Sequence, residues 1–263
     1  MSRTFLAVLH YAGGAFVGWQ RQPVGRTVQA EVERVLEELC GTRIVAHAAG
    51  RTDAGVHATG MGVSFTVPAK WTTQALHRAL NALLAPDCWA ASVHLMRPGF
   101  HARKSALERQ YRYLIGTDPS SRSPFRRPYE WAVARPLDLE ALRAGAGSIV
   151  GEHDFSAFAA KGTPRPHYRC RVRVATWAAR DDQPGVMLDI AANRFLHHMV
   201  RMLVGTMVDI GLGRRAVADM ERLLESGHNH DTSPPAPPEG LYFVRADYAD
   251  EWFHRQDEVP CSE

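Results

Sequence analysis

The chain has 263 residues, 45% of them hydrophobic and 22% charged, which excludes a disordered or fibrous protein and leaves a globular one. That length suits two domains of about 100 to 150 residues each. The formal net charge is only +3, from 31 basic and 28 acidic residues.

The distribution of charge is more informative than its sum. Arg97, Arg103, Lys104, Arg109, Arg112, Arg122, Arg126 and Arg127 form a basic middle with few acids, the footprint that a polyanion requires. The opening apolar run is too short for a secretory leader, and no stretch approaches the roughly 18 apolar residues that cross a bilayer. A cytoplasmic protein without a membrane partner is the expectation. Cys40, Cys88, Cys170 and Cys261 lack CxxC spacing, so reduced thiols are expected rather than a disulfide or zinc framework.

Taken in chain order, residues 4–10 read as a strand apolar on both faces. They lead into YAGGAFVGWQRQ, a glycine-rich loop whose Tyr11, Phe16 and Trp19 either cap the core or line a nucleic-acid groove. Thr27 is an N-cap for a helix to about Leu39, with Val28, Val32, Val35, Leu36 and Leu39 on one face and Gly41 ending it. Glu31, Glu33, Glu37 and Glu38 are expected to face solvent. A strand over 43–48, a loop, a strand over 62–67, a helix capped at Thr72 or Thr73 and running to Leu84, and a strand over 88–95 complete the first ninety-odd residues. Strand, helix, strand, strand, helix, strand is the order of a ferredoxin-like unit with an antiparallel sheet.

A basic connector over 97–109 marks the change of domain, giving domains at residues 1–104 and 105–263. A strand over 110–115 follows, with Tyr111 and Tyr113 on one face and Arg112 on the other. Residues 117–136 read as a long surface loop and 137–149 as a helix. His153 and Asp154 read as a structural hydrogen-bonded turn, because no third ligand lies at metal-site spacing. The segment 163–170 continues a basic, proline-stiffened surface. Strands over 169–177 and 186–191 flank a DDQPG turn. The apolar run 191–211 is expected to be a central helix with Phe195, Met199, Met202 and Leu203 on one face, and 214–225 another helix, before a last strand over 241–248. The second half repeats the strand and helix alternation loosely, with extra loops, so the fold class expected is α+β with antiparallel sheets.

The stretch AGRTDAGVHATG, residues 49–60, looks like a site. Its glycines permit sharp turns and close approach to a ligand, and in extended chain the side chains of Arg51 and Asp53 point the same way. Neither GxGxxG nor GxxxxGK[ST] is present, so this is no ordinary phosphate cradle. A salt-bridged turn is the plain alternative. A carboxylate beside a guanidinium stays ionised, which suits a nucleophile or base. Arg201, inside the apolar run, is either a snorkelling surface residue or the partner of a carboxylate, for which Asp53 is the candidate.

Seven segments in order resemble the TruA family of tRNA pseudouridine synthases: GWQRQ with TVQ at 27–29, AGRTDAGVHA at 49–58, FHAR at 100–103, RQYRY at 109–113, GEHDFSAF at 151–158, AANRFLHHMVRMLVGTMVDIG at 191–211 and APPEGL at 236–241. The resemblance implies two ferredoxin-like α/β domains joined around a central basic cleft, and isomerisation of uridine to pseudouridine in the anticodon stem-loop, at tRNA positions 38 to 40, by a homodimer that uses no cofactor and no metal. It implies that Asp53 is the catalytic aspartate, attacking at C1′ or at C6, that Tyr111 stacks on the flipped base and takes part in proton removal, that Arg51 helps extrude the nucleotide, and that Arg201 pairs with the aspartate. Two positions depart from the family pattern: Ala12 stands where YDG is usual, and Met61 where many members carry glutamine. The competing readings are an RNA-binding protein of the same fold without catalysis, and a metal-dependent hydrolase using His57, His101 or His153.

Overall fold

Phe5, Leu6, Ala7 and Leu9 are all buried, so β1 (Ser2–Tyr11) is covered on both faces, as its unbroken apolar run requires. The computed structural model describes residues 1–160, 167–227 and 229–254. They form an α+β fold in two units, the first made of Met1–Leu107 with the chain from Phe243 onward, the second of Glu108–Tyr242.

In the first unit, α1 (Val28–Cys40) starts where the Thr27 side chain accepts from the Ala30 N–H and ends at Gly41, φ 69°. Next come β2 (His47–Ala48), β3 (His57–Pro68), α2 (Thr73–Leu83), capped by Thr72, and β4 (Cys88–Met96). β1 lies between β3 and β4 and is antiparallel to both, while β2 pairs antiparallel with β3.

Three sequence expectations change here. Glu33 is 3% exposed rather than solvated. The strand expected over 43–48 contracts to His47–Ala48, because the Ala46 N–H donates to Glu33 Oε1 at 3.1 Å instead of to a ladder. And β3 begins at His57, five residues before the expected start, with Gly60 and Gly62 inside it. A Cβ at Gly60 would collide with the Val244 carbonyl and one at Gly62 with the Tyr248 hydroxyl, so close packing, not a turn, requires these glycines.

The second unit opens with β5 (Ala106–Gly116), followed by β6 (Trp131–Ala132), α3 (Leu139–Gly147), β7 (Gly151–Asp154), β8 (Arg169–Ala179), β9 (Gly185–Ala192), α4 (Met199–Gly211) and α5 (Asp219–Ser226). Its strands run in the order β5-β9-β8-β7, each pair antiparallel, with β6 added in parallel beside β5. Trp177, Tyr113, Phe155 and Phe158 are among its fully buried side chains, and Trp177 Nε1 donates to Met207 of α4. The final strand, β10 (Leu241–Tyr248), returns the chain to the first unit beside β3.

The expected loop 117–136 is tied down from within. Arg126 pairs with Asp118 and Glu130, and Glu130, 3% exposed, also receives Arg180 at 2.5 Å. The central helix starts only at Met199, so Phe195 is not on it. Asn193 holds the segment before the helix: its N–H donates to the Arg171 carbonyl and its side-chain Oδ1 accepts the Arg171 N–H, and His198 at the N-cap has φ 62°. The final helix starts at Asp219 rather than 214. His153 and Asp154 lie in β7, where His153 Nε2 meets the Val150 carbonyl and Asp154 accepts from the Ser156 N–H, a structural use as expected.

Among the described residues no helix is long and apolar enough to cross a membrane. Cys40, Cys88 and Cys170 are free thiols, and Cys261 and the segment 161–166 lie outside the described residues. Burial, with Glu31 and Asp87 nearby, pushes the Cys88 thiol up to about 12, so it stays protonated.

Candidate active site

The loop that connects β2 to β3 holds Arg51 and Asp53, and the segment after β1 supports it from below. Trp19 N–H donates to the Thr52 carbonyl at 3.0 Å, Gly55 N–H to the Phe16 carbonyl at 3.2 Å, and Gly13 N–H to His57 Nδ1 at 3.1 Å. Tyr11 and Thr52 join their hydroxyls at 2.9 Å in a buried position. Gly18, φ 101°, and Gly13 are needed at this contact, because a Cβ on either would strike the carbonyl of Thr52 or Val56. Tyr11, Phe16 and Trp19 are therefore buried floor rather than an exposed stacking surface.

On that floor Thr52 points inward, 7% exposed, while Arg51 is exposed and Asp53 half-buried. Exposed, buried and half-buried positions over 51–53 follow the alternation that an extended segment gives. A further set of polar side chains fixes the entry to the loop. Gln29 accepts from Gln20 at 2.7 Å and from the Arg21 N–H at 3.0 Å, and donates to Glu33 at 2.9 Å. Glu33 also pairs with Arg21. The GWQRQ and TVQ motifs are thus one hydrogen-bonded network that ends on Ala46, three residues before the site loop. Gln29 and Glu33 stand one helical turn apart, the signal from which their pairing was readable.

Position 12, an alanine here, has its N–H bound to the Asp87 carbonyl. The Asp87 carboxylate takes both arms of Arg26, at 2.5 and 2.8 Å, and Arg26 lies 4.2 Å above the Phe16 ring. A carboxylate therefore serves this corner from another strand end. Met61, the second departure, is fully buried in β3.

In the second unit, Tyr111 on β5 sits opposite Ile190, is 8% exposed, and meets Phe195 edge to face at 5.1 Å. Tyr113, on the same face, is buried completely; its hydroxyl donates to the Pro237 carbonyl at 2.6 Å and burial holds its pKa well above the ordinary phenol value. Arg112 faces the other way and is held bidentately by Asp189 at 2.9 Å.

Arg201 occupies the first turn of α4. Its Nε donates to the Ala236 carbonyl at 2.7 Å, and the Ala236 N–H donates back to the Arg201 carbonyl, so α4 and the APPEGL segment are clasped together. Arg201 is half-buried, neither snorkelling freely nor sealed in the core. The three histidines proposed for a metal hydrolase go to separate tasks: His57 accepts from Gly13, His101 stacks on His47, and His153 binds a carbonyl of its own turn. The family model described as tRNA pseudouridine synthase matches residues 7–97 and 146–249, which contain Arg51, Asp53 and Arg201. Proteins named tRNA pseudouridine synthase A align along almost the whole chain: one from Myxococcus xanthus is 38% identical over 92% of this chain and 91% of its own. One from Moorella thermoacetica is 39% identical over 91% and 97%, and one from a Geobacter species is 36% identical over 94% and 99%.

Proposed function

The chain belongs to the TruA family of tRNA pseudouridine synthases and is an enzyme of that kind, and on that premise we propose that it isomerises uridine in the anticodon stem-loop, at tRNA positions 38 to 40, with Asp53 as nucleophile. The observation that carries the reading is the presentation of Asp53: a half-buried carboxylate, beside an exposed arginine, on a loop whose backbone is bonded to the segment 13–19 on its inner side.

A stacked base is out of reach of any side chain, so it must be flipped, at a cost of a few kcal/mol. Arg51 fills the vacated place and Tyr111 supplies a stacking face. Attack by Asp53, at C1′ or at C6, allows the N1–C1′ bond to break. The base turns, C5 bonds to C1′, the bond that Asp53 made breaks and returns its carboxylate, the C5 proton leaves to Tyr111 or to water, and N1 regains a proton. The family resemblance gives Arg201 the part of the cation that pairs with the aspartate. No metal and no cofactor has a step in this sequence.

We also propose a cytoplasmic homodimer and two ferredoxin-like domains that divide near residue 104, the returning strand β10 being counted with the first. The β4-β1-β3-β2 adjacency in the first unit supports the first of these domains.

The test is an unmodified tRNA transcript with uridines at the three positions, incubated with the protein and mapped by carbodiimide treatment and primer extension. Pseudouridine is expected with the native chain and none with Asp53→Ala, whose tRNA affinity stays nearly native. Full activity in Asp53→Ala would remove the aspartate from the mechanism. An RNA-binding protein without catalysis would bind the transcript and leave every uridine unchanged.

A further inference from the structure

Apart from the Asp53 loop, the first unit carries a recess of about 290 Å³ lined by Thr4 of β1, residues 43–45 and His47 ahead of and within β2, Ser64 to Thr66 of β3, and Phe100 with His101 after β4. Its size is at the lower end for small-ligand pockets, enough for a phosphate with part of its sugar. No carboxylate lines it. Arg43 is exposed at its edge and makes no ion pair among the described residues.

The two imidazoles are arranged rather than incidental. Their rings stack at 4.5 Å with 29° between the planes. His101 is locked by its own turn: its N–H donates to Ser105 Oγ at 3.2 Å, and its Nδ1 accepts the N–H groups of Arg103 at 3.1 Å and Lys104 at 3.4 Å. With Nδ1 occupied as an acceptor, the neutral ring carries its proton on Nε2 and is a fixed donor. Ser64 Oγ accepts the Ala102 N–H at 2.9 Å, which leaves its hydroxyl proton to donate.

We propose that this recess is a phosphate subsite, in which His101, His47 and Arg43 hold one backbone phosphate of the RNA substrate away from the reacting nucleotide. The assignment rests on the reading of the chain as a tRNA enzyme. Phosphate contacts position a nucleic acid without reading its sequence, and a fixed donor pair beside an exposed guanidinium is suited to that task. The charged groups around His101 are His47, Lys104 and Arg103, all of them cations or potential cations. Burial first, and then these neighbours, hold its pKa below the ordinary imidazole value. An anion in the recess reverses the neighbours' effect, so phosphate binding and imidazole protonation reinforce each other and affinity rises as pH falls through the imidazole range.

The experiment measures tRNA-transcript affinity against salt and pH for the native chain, for Arg43→Gln and His47→Gln at exposed positions, and for His101→Gln. A second arm titrates inorganic phosphate while following the imidazole C–H resonances of His47 and His101. Each variant is expected to weaken binding; Arg43→Gln should also lower the slope of log affinity against log salt by about one, and His101→Gln should flatten the rise in affinity as pH falls. Native affinity and slope in Arg43→Gln and His47→Gln overturn the proposal, as does silence of both imidazoles to phosphate. Resonances that respond to phosphate while every variant keeps the native slope make the recess a free-phosphate site and also overturn it. A native chain that binds tRNA with its full slope but forms no pseudouridine refutes the catalytic reading alone, because this test reads binding.

Discussion

Glu33 illustrates how one side chain escapes the helical pattern that predicts it. In sequence it belongs with Glu31, Glu37 and Glu38 on a solvated face; in the fold it is buried and serves Gln29, Arg21 and the Ala46 N–H together. Replacing it with alanine leaves a buried donor and an arginine without their acceptor, so Glu33→Ala is expected to cost about 3 kcal/mol in urea unfolding, and Glu33→Gln less. Tyr111 offers the opposite case. Tyr111→Phe keeps the edge-to-face contact with Phe195 and the burial, while pseudouridine formation is expected to fall by about 10²-fold if the hydroxyl takes the C5 proton. An unchanged rate would assign that proton to water. Asp87 carries a pH signature. Hydrogen bonds from Arg26, and then its charge, hold the carboxyl below the usual range, so the pair's stabilisation is present above the ordinary carboxylate pKa of about 4 and is lost as pH falls through the lowered value. Asp87→Asn should erase that acid limb from a plot of unfolding free energy against pH.

At the scale of elements, the site is a loop laid on another loop. The aromatic-rich segment reads in sequence as either core cap or binding groove, and the structure decides for the core, since Trp19 and Phe16 bond through their backbones to residues 52 and 55 and turn their rings inward. Gly18→Ala tests this arrangement: the substitution places a Cβ against the Thr52 carbonyl at a φ of 101°, and is expected to cost about 2 kcal/mol or more and to lower activity further than stability alone explains. Activity and melting temperature that both remain native would show that the loop does not depend on this support. The helices were legible because their caps and stripes are local: Thr27, Thr72 and Gly41 act where the sequence places them. The run 191–211 misleads because Phe195 and Met199 are four residues apart, a helical spacing, yet Phe195 packs on Tyr111 before the helix begins. Periodicity alone does not tell an apolar approach segment from a first turn.

Across the whole molecule, the basic middle seen in the sequence is smaller in the fold. Arg112 is spent on Asp189, Arg126 on Asp118 and Glu130, and Arg109 donates to the Asn193 carbonyl. Arg103, Lys104, Arg122 and Arg127 remain at the surface. Arg122→Ala with Arg127→Ala is therefore expected to lower the salt dependence of tRNA binding more than Arg112→Ala does, measured as the slope of log affinity against log salt; equal slopes would show that the loop 117–136 is not part of the RNA surface. What the amino-acid order determined by itself is local or cumulative: capped helices, strand alternation, and seven ordered segments whose joint occurrence marks the family. What the tertiary structure alone decided is which charges are consumed in internal pairs, which aromatics are floor rather than surface, and where β3 begins. Those outcomes depend on partners distant along the chain, such as Glu33 on Ala46, Gly60 on Val244 and Glu130 on Arg180. A hydrogen bond or a close approach between such residues has no period and leaves no local mark in the sequence.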